Sequence, residues 1–99
     1  MEIAKTIEDG KVTFVVRGRL DTVTSPELQA EMDKVSDATA ELVLDFSALD
    51  YISSAGLRVL LSANKKMVAK GGSLLIVGAN AVVKDVFDMT GFSDILKLA

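Results

Sequence analysis

Apolar positions along the 99-residue chain change spacing several times, and each change marks an element. Ile3–Ile7 and Val12–Val16 read as strands, with Asp9-Gly10 between them as a hairpin turn that tolerates positive φ. From Thr24 to about Val35 the spacing becomes helical, with Leu28, Met32 and Val35 on one stripe. Thr24 and Glu27 are spaced as a capping box, Val23 and Leu28 as a hydrophobic staple, and Pro26 falls in the first turn. Leu42–Phe46 is nearly all apolar, the pattern of a central strand covered on both faces. A second helix is predicted from near Ser54 to Gly71, with Leu57, Leu60, Ala63 and Met67 facing the core. Lys65, Lys66 and Lys70 suit the negative end of its dipole. Leu74–Val77 repeats the central-strand pattern, so this stretch predicts a right-handed, parallel βαβ unit. Asn80 is placed to cap a third helix with apolar positions Val82, Val83, Val86 and Phe87. Gly91 would end that helix, with Phe92 packing back on Phe87, and Ile95–Leu98 would form a short strand or helical turn. The sum is one α/β domain over residues 1–99: a mixed sheet started by a β-hairpin, with helices packed on it.

Composition narrows the chemistry. The chain has no Cys and no His, which removes thiolates, disulfides, the commonest general base and the commonest metal ligand. Its net charge of −3 argues against nucleic acid as a direct partner, because phosphate contacts need a basic surface. No apolar run approaches the roughly 20 residues that span a bilayer. The N-terminus does not read as a signal peptide, so cytoplasmic residence is the expectation.

Candidate chemistry concentrates after Leu42–Phe46. Ser53 and Ser54 stand where a strand hands over to a helix, a position whose unpaired N–H groups favour a cap or an anion. Ser54, Arg58, Leu61 and Lys65 follow at spacings of four, three and four, so they share one helix face. Such a face is either solvated or a docking surface for an acidic partner. Asp21 and Thr24 read as a turn aspartate followed by a helix cap. Asp45 reads as a strand-end acid bonded to the loop after it, a Ser47–Ser54 loop leaving the strand's carboxyl end. Gly71-Gly72 is a helix stop, since no phosphate-loop pattern surrounds it.

The string Asp45-Phe46-Ser47-Ala48-Leu49-Asp50-Tyr51-Ile52-Ser53-Ser54-Ala55-Gly56-Leu57 resembles the signature of the STAS domain family, the anti-sigma factor antagonists. Gly18-Arg19-Leu20-Asp21-Thr22-Val23-Thr24, Lys70-Gly71-Gly72 and Val86-Phe87-Asp88-Met89-Thr90-Gly91-Phe92 resemble three further family segments, so the resemblance runs from about Val12 to Leu98. It implies a regulatory binding protein, not an enzyme. Its partners would be an anti-sigma factor serine kinase and a resetting serine phosphatase. Ser54 matches the serine that the kinase phosphorylates. Ser53 stands where the best-known members carry Asp, and it is the second-choice acceptor. Asp21, Thr24, Ser53, Ser54, Arg58, Leu61 and Lys65 make up the expected partner surface. No cofactor and no metal is implied, although some STAS domains are reported to bind nucleotide weakly. The alternatives are a STAS scaffold or nucleotide-binding module without phosphorylation, and a small α/β enzyme using Asp21, Asp45 or Asp50.

Overall fold

A computed structural model describes all residues, 1–99. The order along the chain is β1 (Glu2–Glu8), β2 (Lys11–Leu20), α1 (Ser25–Asp33), β3 (Glu41–Ile52), α2 (Ser54–Ala69), β4 (Ser73–Val77), α3 (Ala81–Thr90), a 3₁₀ turn (Phe92–Asp94) and β5 (Lys97–Leu98). Five strands form one sheet in the order β1-β2-β3-β4-β5. The β1–β2 hairpin is antiparallel, turning at Gly10 with φ +65°, and every later pairing is parallel. The expected hairpin, the βαβ unit and the short last strand are all present.

Each crossover after β2 steps one strand in the same direction. Right-handed crossovers that all step one way place all their helices on one face of the sheet. The burial pattern agrees. Val12, Phe14 and Val16 of β2, Leu42, Leu44 and Phe46 of β3, and Leu74 and Ile76 of β4 are buried in a single core with the helices. Their alternates, Thr13, Val15, Val43, Asp45, Leu75 and Val77, are only half-buried. The expectation that Leu42–Phe46 is covered on both faces is therefore corrected. One face of the sheet is bare, and β-branched side chains half-shield each other there without a second layer.

A second correction concerns the stretch read as a Ser47–Ser54 loop. β3 continues as strand to Ile52, paired with β2 as far as Leu20↔Ile52. Two register shifts interrupt the pairing, between Val15 and Arg17 and between Gly18 and Arg19, and each adds a residue to β3. Buried positions run Leu42, Leu44, Phe46 at a spacing of two, then Leu49 and Ile52 at a spacing of three. The strand period is lost at the bulges, which is why the sequence hides this half of the strand.

The helix termini follow local chemistry. Asn80 caps α3, its side-chain oxygen accepting from the Val83 N–H at 2.9 Å. Gly71 ends α2 at φ +78°, with Gly71 N–H bonded to Val68 O and Gly72 N–H to Met67 O in a Schellman stop. Gly91 ends α3 as expected, at φ +79°. Val82 is the exception among the apolar positions of α3: Val83 and Phe87 are buried, whereas Val82 is 53% exposed. α1 closes at Asp33, two residues before Val35.

Candidate functional site

β2 and β3 end together. The Ser53 N–H donates to the Leu20 carbonyl at 2.9 Å, so the turn after β2 and the start of α2 are neighbours at the carboxyl edge of the sheet. That contact sets the turn that Asp21 opens beside Ser53.

The Asp21 turn is held by its own side chains. One Asp21 carboxylate oxygen accepts from the Val23 N–H at 3.0 Å and the Thr24 N–H at 3.1 Å, closing an Asx turn. The Thr24 hydroxyl accepts from the Asp21 N–H at 2.9 Å and donates to the Arg19 carbonyl at 2.7 Å. The hydrogen bonds from Thr24 above all, with lesser help from Val23 and Arg19, hold the Asp21 carboxyl below its ordinary value of 3.8, against an opposing effect of desolvation. The capping box expected between Thr24 and Glu27 is not formed. Thr24 has helical backbone angles and spends its hydroxyl on the turn, leaving no side-chain cap for α1. The staple is also absent, because Val23 stands 82% exposed at the tip of the turn instead of packing on Leu28. Arg19 completes this wall: its guanidinium lies 4.5 Å from the Tyr51 ring centroid, and its Nε is 3.9 Å from an Asp21 oxygen.

At the start of α2 the two serines divide the work. Ser53 is the N-cap, with extended backbone and a long side-chain bond of 3.4 Å from the Gly56 N–H. Ser54 is the first helical residue, and it is exposed. Gly56 explains how closely this helix end approaches the sheet. A Cβ there would lie 2.8 Å from Ile52 Cγ1 and 2.8 Å from Leu20 Cγ, both on fully buried side chains.

The predicted helix rotation holds. Leu57, Leu60, Ala63 and Met67 are buried, and Arg58 and Lys65 are exposed with Leu61 half-buried between them. Val59 is buried as well, which the spacing did not anticipate. Asp45 is not part of this site. It sits at the first bulge of β3, on the bare face of the sheet, and accepts from the Ser47 hydroxyl at 2.6 Å and the Ser47 N–H at 2.9 Å. These bonds, the hydroxyl's first, lower its pKa from 3.8. Asn80 braces the same bulged segment from the other side, donating from its side-chain nitrogen to the Leu49 carbonyl at 2.9 Å. Nowhere do acidic side chains gather as a metal ion would require, and no helix is long and apolar enough to cross a membrane.

Sequence reasoning overlooked Arg19, Val23, Tyr51, Gly56 and Asn80's second bond. Only Gly56 carried a signal, since a glycine in a first helical turn implies close approach of another element.

The family model for the STAS domain matches residues 2–99. BtrV of Bordetella bronchiseptica, named as an anti-sigma factor antagonist, is 35% identical over 92 residues, which cover 92% of this chain and 79% of that protein. The anti-sigma-B factor antagonist of Bacillus subtilis is 26% identical over 84 residues, covering 85% of this chain and 77% of that one. Among solved structures, an anti-sigma factor antagonist from Mycobacterium paratuberculosis superposes with a TM-score of 0.86 at 26% identity, covering 98% of this chain and 83% of the other.

Proposed function

The chain belongs to the STAS domain family, and on that footing we propose that it is an anti-sigma factor antagonist switched by phosphorylation of Ser54. The unphosphorylated form binds an anti-sigma factor that is also a serine kinase, and so frees a sigma factor for transcription. A serine phosphatase resets the switch. The chain is a substrate in this scheme, not a catalyst.

One observation carries the reading to Ser54 and not Ser53. Ser53 is committed to capping α2, while Ser54 presents its hydroxyl at the exposed first turn, beside the Asp21 turn. A phosphate on Ser54 adds about −1.5 to −2 charges. The helix tolerates that charge, because it sits at the positive end of the dipole. A docked partner does not, because the charge lands in the middle of the contact formed by Asp21, Thr24, Ser53, Ser54, Arg58, Leu61 and Lys65. The switch therefore acts by spoiling complementarity, with no refolding.

The test is phosphorylation in vitro. The protein is incubated with ATP and the anti-sigma factor kinases of its source organism, and the modified residue is mapped by mass spectrometry. Label on Ser54 is expected. Label on Ser53 alone, or none from a kinase that binds the protein, overturns the proposal.

A further inference from the structure

β3 loses its strand neighbour on one side halfway along. Its pairing with β4 runs from Glu41↔Ser73 to Asp45↔Val77 and stops there, because β4 ends at Val77. Beyond that point the loop Gly78-Ala79-Asn80 holds β3 in place of a strand. Gly78, at φ +72°, lies so close that a Cβ on it would fall 2.9 Å from Ser47 Cβ and 3.1 Å from Ser47 Cα and N. Ala79 is buried. Asn80 donates from its side-chain nitrogen to the Leu49 carbonyl at 2.9 Å. Ser47 lies inside the first bulge of β3, and Leu49 lies between the first and the second. The loop thus grips the strand where its ladder to β2 is irregular.

Asn80 uses both ends of its amide, since its oxygen also caps α3 by accepting from the Val83 N–H at 2.9 Å. As a cap alone, Ser or Asp would serve about as well. Neither can make the second bond: Asp has no N–H to donate, and the Ser hydroxyl is shorter. We propose that Asn80 is a positioning residue for the serine-bearing end of the molecule, fixing the register of the bulged half of β3 and so the point where α2 begins. Dropping one bulge would shift everything beyond it by one residue. Ile52 would turn from the core to the bare face, and Ser53 would leave the Leu20 carbonyl. The Leu49 carbonyl, tied to the start of α3, opposes that slip. What the register is for rests on the function proposed above: a kinase meets Ser54 in its competent place only for the fraction of time that the register holds.

The experiment compares the parent with Asn80→Ser and Asn80→Asp by amide hydrogen exchange, and by phosphorylation with ATP and the anti-sigma factor kinases of the source organism. Both variants keep a cap for α3, so the Val83 amide should exchange at the parent's rate. The amides of Tyr51, Ile52 and Ser53 should exchange about fivefold faster. KM for the protein as kinase substrate should rise by about the same factor, with kcat and KM for ATP unchanged. Parent-like exchange at these three amides in both variants overturns the proposal and leaves Asn80 a cap only. Equal acceleration along the whole chain also overturns it, because the loss is then one of global stability. So does faster exchange at the three amides with an unchanged KM, since Ser54 would then not depend on the register. A parent that no kinase binds or phosphorylates overturns the function proposed above, while the exchange rates still decide whether Asn80 sets the register.

Discussion

The two ends of the sheet are built by different means. At the end where β2, β3 and β4 begin, backbone meets backbone: the Gly10 carbonyl accepts from the Ala40 and Glu41 N–H groups at 2.8 and 3.0 Å, and the Ala40 carbonyl accepts from Ser73 at 2.9 Å. Gly72 packs so tightly there that a Cβ would fall 2.7 Å from the Ala40 oxygen. At the end where Ser53 and Ser54 lie, side chains hold the loops: Asp21 and Thr24 close one turn, Asn80 braces another, and Ser53 caps α2. Backbone bonds are indifferent to most substitutions, so the first end can hold the fold while its residues vary. The second end is specified residue by residue, which suits a surface that a partner must recognise.

That contrast can be broken most forcefully at the backbone-tied end. Gly72→Ala forces a methyl against a carbonyl that cannot swing aside, and the upper part of about 1–3 kcal/mol of stability should be lost. Denaturant unfolding should show a lower midpoint at unchanged slope, and the folded fraction should still bind partner like the parent. Lost binding without lost stability would mean that the two ends are not separable.

Gly56→Ala tests the opposite end. Helix propensity alone would gain about 1 kcal/mol. The overlap with Ile52 and Leu20 costs about 1–3 kcal/mol, and those side chains have no room to move. A net loss of stability is expected. Because the methyl pushes the start of α2 off the sheet, partner affinity should fall beyond what unfolding explains. A gain in melting temperature would show that the close approach is slack.

Ser54→Asp sharpens the comparison further. Affinity for the anti-sigma factor should drop by more than tenfold, about 1.4 kcal/mol. Stability should stay level or rise by about 0.3–1 kcal/mol, since the charge meets the positive end of α2. Calorimetry on the same preparation gives both numbers.

The smallest effect is acid sensitivity. Asp21 and Asp45 both have folded-state pKa values lowered from 3.8. A lowered carboxylate contributes stability that is present above the unfolded value and lost as pH falls through the folded one. Melting temperature should therefore decline as pH drops below about 3.8, and Asp21→Asn should flatten part of that decline. An equally steep decline in Asp21→Asn would mean that the turn's bonds do not depend on charge.

The order of elements was legible because each keeps one period over enough residues. Leu28, Met32, Leu57, Leu60, Ala63, Met67, Val83 and Phe87 announce buried stripes, and Asn80, Gly71 and Gly91 announce helix ends. What escaped is non-local. No pattern within β3 reveals that its second half pairs with β2 through two bulges. The apolar run Leu42–Phe46 looks the same whether one face is covered or both. Thr24 suits a cap by spacing, yet Asp21 sits close enough to compete for its hydroxyl. Of the candidate site, the serines and the Arg58–Lys65 face could be read directly, whereas the exposure of Val23 is settled only once the turn after β2 is formed.

A sheet whose helices all lie on one side keeps a long free edge, and here that edge is β1, seven residues with little cover. Such an edge invites a second molecule to add its own strand. The side chains of β1 argue against it. Glu2, Lys5 and Glu8 recur every third position. Two copies meeting antiparallel about their centres would set Lys5 against Lys5 and Glu2 against Glu8, opposing like charges at three points along the ladder. A protein whose work is to meet other proteins thereby has this one edge guarded by charge against pairing with its own copy in that register.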